Sequence, residues 1–128
     1  LGFRYAEGEP WVLRDCSFRI GAGESVAIVG AFAGTSRHDG MTAAEIGADY
    51  VSFGPLSASS LGDGSLAPPE LFAWWSEMIE VPIVAEGGLT VDLVRDLSAV
   101  TDFFAVGEEI WREEDALAAL RRLLAPLG

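Results

Sequence analysis

The sequence predicts an α/β chain: about four βα units, half of a (β/α)8 barrel, behind a short β-rich N-terminal segment. Three observations predict it. Residues 31–128 alternate strand runs with helical segments, the strands falling near 30–36, 49–54, 82–86 and 102–107. Such alternation needs parallel pairing with right-handed crossovers. At 128 residues, the chain has about half of the roughly 250 residues that a closed barrel takes. Residues 2–6 and 11–20 instead read as strands joined by the turn Glu7-Gly8-Glu9-Pro10.

Each element has a local reason. From Asp15 to Ile20 polar and apolar residues alternate, the pattern of a half-buried strand. Gly21-Ala22-Gly23-Glu24 is a second turn, and Ser25-Val26-Ala27-Ile28-Val29-Gly30 is an apolar run expected to be a strand buried on both faces. Thr42-Ala43-Ala44-Glu45 predicts a capping box opening a short helix that Gly47 ends. Asp49 to Pro55 is a strand running into the Ser- and Gly-rich loop 56–67. Pro68 and Pro69 open a helix with Leu71, Phe72, Trp75 and Met78 at helical spacing. Pro82-Ile83-Val84-Ala85 is a buried strand, and Thr90 caps a helix through about Ala99. Asp102 to Gly107 is the last strand. Residues 113–125 form the last helix, with acids in its first turn and Arg121 and Arg122 in its last.

Composition narrows function. Eight basic residues, all arginine, face twenty acidic ones, for a net charge of −12. Residues 1–30 hold three arginines and four acids, so the acid excess lies almost wholly in 31–128. The chain has no lysine, which excludes a P-loop lysine, a Schiff-base lysine and a lysine general base. The acid excess argues against nucleic acid as partner. No apolar run reaches the roughly 18–20 residues of a membrane span. The opening Leu1-Gly2-Phe3-Arg4-Tyr5 lacks the pattern of a signal peptide. A single cysteine, Cys16, allows no internal disulfide, so the expected location is the reducing cytoplasm.

Three linked motifs carry a resemblance. Gly30-Ala31-Phe32-Ala33-Gly34-Thr35-Ser36-Arg37-His38, then Gly47 to Pro55, then Val81 to Thr90 together resemble the C-terminal half of thiamine phosphate synthase and its TenI-type relatives, over about residues 29–128. The resemblance implies a TIM-type barrel. It implies a transferase that joins a pyrimidine methyl diphosphate to a thiazole phosphate, releasing diphosphate with magnesium's help. Residues 3–30, with Phe3-Arg4-Tyr5, Val12 to Ile20 and Gly23 to Gly30, are similar to the opening of an ABC-transporter ATPase domain. There Tyr5 would stack on adenine. The P-loop that should follow is absent, because Thr35 stands where lysine is required. The chain thus reads as a chimera divided into residues 1–29 and 30–128.

The resemblance also implies site residues. Gly87, Gly88 and Gly107 would hold a substrate phosphate through backbone N–H groups at two strand ends. Ser36 would touch the diphosphate side of the substrate, with His38 a candidate beside it. Ser57, Ser59 and Ser60 stand in a loop that grips diphosphate in the family, there with a lysine that this chain lacks. Glu86, Glu108 and Glu109 flank the phosphate position with like charge. The family's magnesium- and pyrimidine-binding residues fall in the other half of the barrel, and no metal site is assigned here. Trp74 and Trp75 read as a packed helix face and Glu113-Glu114-Asp115 as a solvated turn.

Three functional readings stay open. One is a thiamine phosphate synthase-like half barrel, inactive alone, that binds a small phosphorylated ligand. A second is a chimeric chain without catalysis. The third is an ABC-type nucleotide-binding fragment without a working P-loop. In each, four βα units leave open sheet edges, so a homo-oligomer paired through those edges is expected.

Overall fold

The computed structural model of the chain describes residues 19–58 and 64–128. These form a four-stranded parallel sheet in the order β1-β2-β3-β4, with β1 Gly30–Phe32, β2 Tyr50–Phe53, β3 Ile83–Glu86 and β4 Phe103–Ala105. Helices α1 Arg37–Glu45, α2 Pro69–Met78 and α3 Val91–Leu97 connect successive strands. The short α4 Glu108–Trp111 and then α5 Ala116–Leu124 follow β4. Consecutive strands are neighbours in space, as expected for successive βα units. The α/β class and the four units are as the sequence predicts.

Register separates the two faces of the sheet. Val51 pairs with Ile83, and Phe53 with Ala85. All four are at most 1% exposed, packed with Phe72, Trp75, Val94 and Leu97 from α2 and α3. The Phe53 ring meets Trp75 edge-on at 5.2 Å, and the Trp75 indole N–H donates to the Val81 carbonyl at 2.9 Å. Burying each such side chain contributes about 1.5–3 kcal/mol. Phe32, Ser52, Val84 and Phe103 share a register row on the other face. Ser52 and Val84 in the middle of that row are buried, whereas Phe32 and Phe103 at its ends are 61% and 60% exposed. Among the described residues, no strand pairs with the outer edge of β1 or β4.

Four expectations need correction. The apolar run 25–29 is exposed and is no strand, although Gly30, its last residue, starts β1. The ladder with β2 begins at Gly30 opposite Tyr50. Just before it, Asp49 accepts the Val29 N–H on its side chain at 2.8 Å and donates its own N–H to the Val29 carbonyl, so the run has no strand partner before Gly30. The first helix starts at Arg37, five residues before Thr42. Ser36 is its N-cap, its hydroxyl accepting the Asp39 N–H at 3.1 Å, and Thr42 donates inside the helix to the His38 carbonyl. The third helix stops at Leu97, two residues short of Ala99. The last helix, α5, starts at Ala116 and not at residue 113, capped by Asp115, so Glu113 and Glu114 lie in the turn before it and not in its first turn, and the short α4 ahead of it is a helix the sequence did not announce. The expected strand at 2–6 and all but the last two residues of that at 11–20 lie outside the described residues; Arg19 and Ile20 carry no strand. Neither Gly47, at φ +100° behind α1, nor the Thr90 cap departs from expectation.

Candidate anion site at the strand ends

The C-terminal ends of β1, β3 and β4 open into a cavity of about 750 Å³. This is the end of a parallel sheet where ligands bind, because crossovers leave the loops there free to vary. Gly87, Gly88 and Gly107 line it, together with Ser57, Glu86 and Glu109.

The loop from β3 to α3 is shaped by two left-handed glycines, Gly87 at φ +86° and Gly88 at φ +70°. A side chain at Gly88 would be strained by that φ and would also run into Ser57. Ser57 is close because its hydroxyl donates to the Gly88 carbonyl at 2.7 Å. The Leu56 N–H likewise donates to the Gly87 carbonyl at 2.7 Å. Both loop carbonyls are thereby turned to the β2 side. The Leu89 N–H is left to serve the β4 side, where it meets a carboxylate.

That carboxylate belongs to Glu109. Its Oε1 accepts the Leu89 N–H at 3.0 Å, and its Oε2 accepts the Gly107 N–H at 2.7 Å. Burial by itself pushes this carboxyl up, but hydrogen bonds from the backbone N–H groups of Leu89, Gly107, Glu109 and Gly88 outweigh it and hold it below its ordinary 4.5. Glu86 shows the opposite balance. Burial pushes it above 4.5, a Ser52 hydrogen bond draws it back, and the nearby Glu109 charge adds to the rise. Arg112 is the cation among the described residues lining the cavity.

The structure therefore gathers Gly87, Gly88, Gly107 and Ser57 around one space. It places Ser36 and His38 elsewhere: Ser36 caps α1, His38 is exposed on that helix, and neither lines the cavity. Ser59, Ser60 and Tyr5 lie outside the described residues. Arg37 stacks on Trp74 at 4.1 Å, so that tryptophan carries a surface cation–π contact. Two participants were missed. Glu109 reads in sequence as a repelling charge and is an acceptor. Arg112 gives no signal there except its place three residues after Glu109. For magnesium, no three His, Cys, Asp or Glu side chains converge on a metal position among the described residues. The two Glu109 oxygens are already held by amides. The described residues do not fit that ion.

No helix of the described residues is long and apolar enough to cross a membrane. A family model described as thiamine monophosphate synthase matches residues 22–110. The match takes in residues 22–28, which the resemblance in sequence left to the opening segment. The thiamine-phosphate synthase of Rhodospirillum centenum is 44% identical over 95 residues, covering 73% of this chain and 46% of that protein. That of Erythrobacter litoralis is 41% identical over 96 residues, covering 72% and 45%. The chain spans about half the length of the curated relatives it matches. Among solved structures, thiamine phosphate pyrophosphorylase from Pyrococcus furiosus superposes with a TM-score of 0.68 at 27% identity, over 78% of this chain and 48% of that one.

Proposed function

Because this chain belongs to the thiamine monophosphate synthase family, a family of thiamine biosynthesis, we propose that it provides a phosphate-holding half of such a barrel and does not make thiamine phosphate alone. The phosphate of a small ligand, a thiazole phosphate first of all, sits between the Gly87-Gly88 loop and Gly107. One observation carries this reading. The N–H groups of Leu89 and Gly107, from two different strand ends, converge on a single pair of anionic oxygens, those of Glu109. Donors fixed by backbone in this way form a concave anion site.

Two observations support the absence of turnover. The chain spans about half of its curated relatives. It has no lysine to neutralise a departing diphosphate, so the serines of loop 57–60 supply hydroxyls without charge. In the proposed site the chain's own groups bind and orient. The Leu89 and Gly107 amides hold the phosphate, Ser57 fixes the glycine loop through the Gly88 carbonyl, and Arg112 is a cation in the cavity wall. Among the described residues no three His, Cys, Asp or Glu side chains gather where magnesium could be held, and no step is assigned to it.

The test mixes the chain with both thiamine precursors and, separately, titrates it with the thiazole phosphate by calorimetry. Saturable binding without product is the expected result. Product above a no-enzyme control, or no binding heat at millimolar ligand, contradicts the reading.

A further inference from the structure

We infer that Glu109 is the specificity-determining residue of this anion site: its carboxylate fills the position of a ligand's phosphate, and a phosphate binds only by displacing it. The inference rests on the phosphate reading above and deepens it. The two Glu109 oxygens use one amide from each loop, Leu89 at 3.0 Å and Gly107 at 2.7 Å. Two oxygens of a phosphate would need the same two amides, and an N–H cannot serve both anions with good geometry. The competition is intramolecular. Glu109 is two residues from Gly107 in sequence, so its effective concentration at these amides is in the millimolar range or above.

Selectivity follows from what can win that competition. A ligand carboxylate brings one negative charge and two oxygens, the same as Glu109, and gains nothing by exchange. A phosphate brings about −1.5 to −2 charge and three acceptor oxygens, so it can take both amides and still bond a third group. The displaced side chain has a destination. Arg112 lies three residues along on the same helical turn and lines the same cavity, at the spacing of an ion pair. Glu86 from β3 and Glu108 from α4 also line the cavity. Their charge raises the cost of any anion that cannot use the amides fully.

The test is calorimetric titration of inorganic phosphate and of acetate into the wild-type chain, Glu109→Ala and Glu109→Gln at pH 7.5. The expected result is a phosphate dissociation constant at least about tenfold lower in Glu109→Ala. Acetate should bind in that variant and not in the wild type. Equal or weaker phosphate binding in Glu109→Ala overturns the inference while leaving the phosphate site standing. A second measurement needs no variant. In the wild type, the Leu89 and Gly107 amide resonances should follow the acid titration of Glu109, and saturating phosphate should abolish that response. A response that persists with phosphate bound overturns the inference. If no chain binds phosphate at any concentration, the phosphate reading itself fails and takes this one with it.

Discussion

The backbone N–H of Leu89 donates to the carboxylate of Glu109 across 3.0 Å, joining the β3–α3 loop to the first turn of α4. The second oxygen of the same carboxylate holds Gly107 at the end of β4. One side chain therefore staples two strand ends that no strand pairing connects beyond Glu86 and Ala105. That staple has consequences for stability, for pH dependence and for ligand binding.

Glu109→Gln should destabilise the fold by about 1 kcal/mol at pH 7, because an amide side chain can accept from only one of the two N–H groups. Glu109 has a folded value below its ordinary 4.5. Its contribution is thus fully present above 4.5 and is lost as pH falls through the folded value. Urea denaturation should show the gap between wild type and variant at pH 7 and its closure at lower pH. A gap that is constant with pH would contradict this.

Glu86→Gln should act in the opposite direction. Burial raises this carboxyl above 4.5, so its ionisation costs stability as pH rises through the window between 4.5 and the raised value. The variant avoids that cost and loses a charge beside Glu109. It should melt at a higher temperature than the wild type at pH 7, with the two converging in acid where both side chains are neutral. A lower melting temperature at pH 7 would show that the Ser52 bond to the carboxylate outweighs burial.

Two glycine substitutions in the same cavity should differ sharply. Gly88→Val meets both a left-handed backbone at φ +70° and the body of Ser57, and should cost about 2 kcal/mol or more. Gly107→Ala has room, since the nearest atom to its new methyl is a Glu109 carboxylate oxygen at 3.8 Å. It should stay within about 0.5 kcal/mol of the wild type. Chemical denaturation of the two variants side by side decides the matter, and equal losses would contradict the geometry.

Assembly follows from the sheet. With β1 and β4 at its edges and Phe32 and Phe103 exposed on one face, the chain should pair as a homodimer or larger at micromolar concentration. Its −12 charge opposes this, but at physiological salt that repulsion reaches only about 8 Å. Light scattering returning a monomer mass at that concentration, with a cooperative melt, would contradict the prediction.

Much of this fold was legible in the sequence. The strands show because Val51, Phe53, Ile83 and Ala85 alternate toward one core face between glycines and helix caps. Pro68-Pro69 and Thr90 announce their helices by chemistry that acts locally. The start of α1 was hidden because Arg37, His38, Asp39 and Gly40 give no apolar period, and the cap at Ser36 is read only once its hydroxyl is seen on Asp39. The run 25–29 misled because an apolar stretch signals burial only when a partner strand exists, and β2 begins too late to provide one. At the site, the glycines were legible and Glu109 was not. In sequence a glutamate beside a phosphate loop can only repel. In the fold, the same charge lies on the amides that an anion would use.

In the proposed reading the Leu89 and Gly107 amides form one anion site. Its most direct measurement is an amide chemical-shift titration of the isotopically labelled chain with inorganic phosphate at pH 7.5. Saturable shifts confined to Gly87, Gly88, Leu89, Gly107 and the first turn of α4, with one common dissociation constant, are the expected result. Shifts centred on Ser36 and His38 instead, or none at Leu89 and Gly107 while phosphate binds, would contradict it.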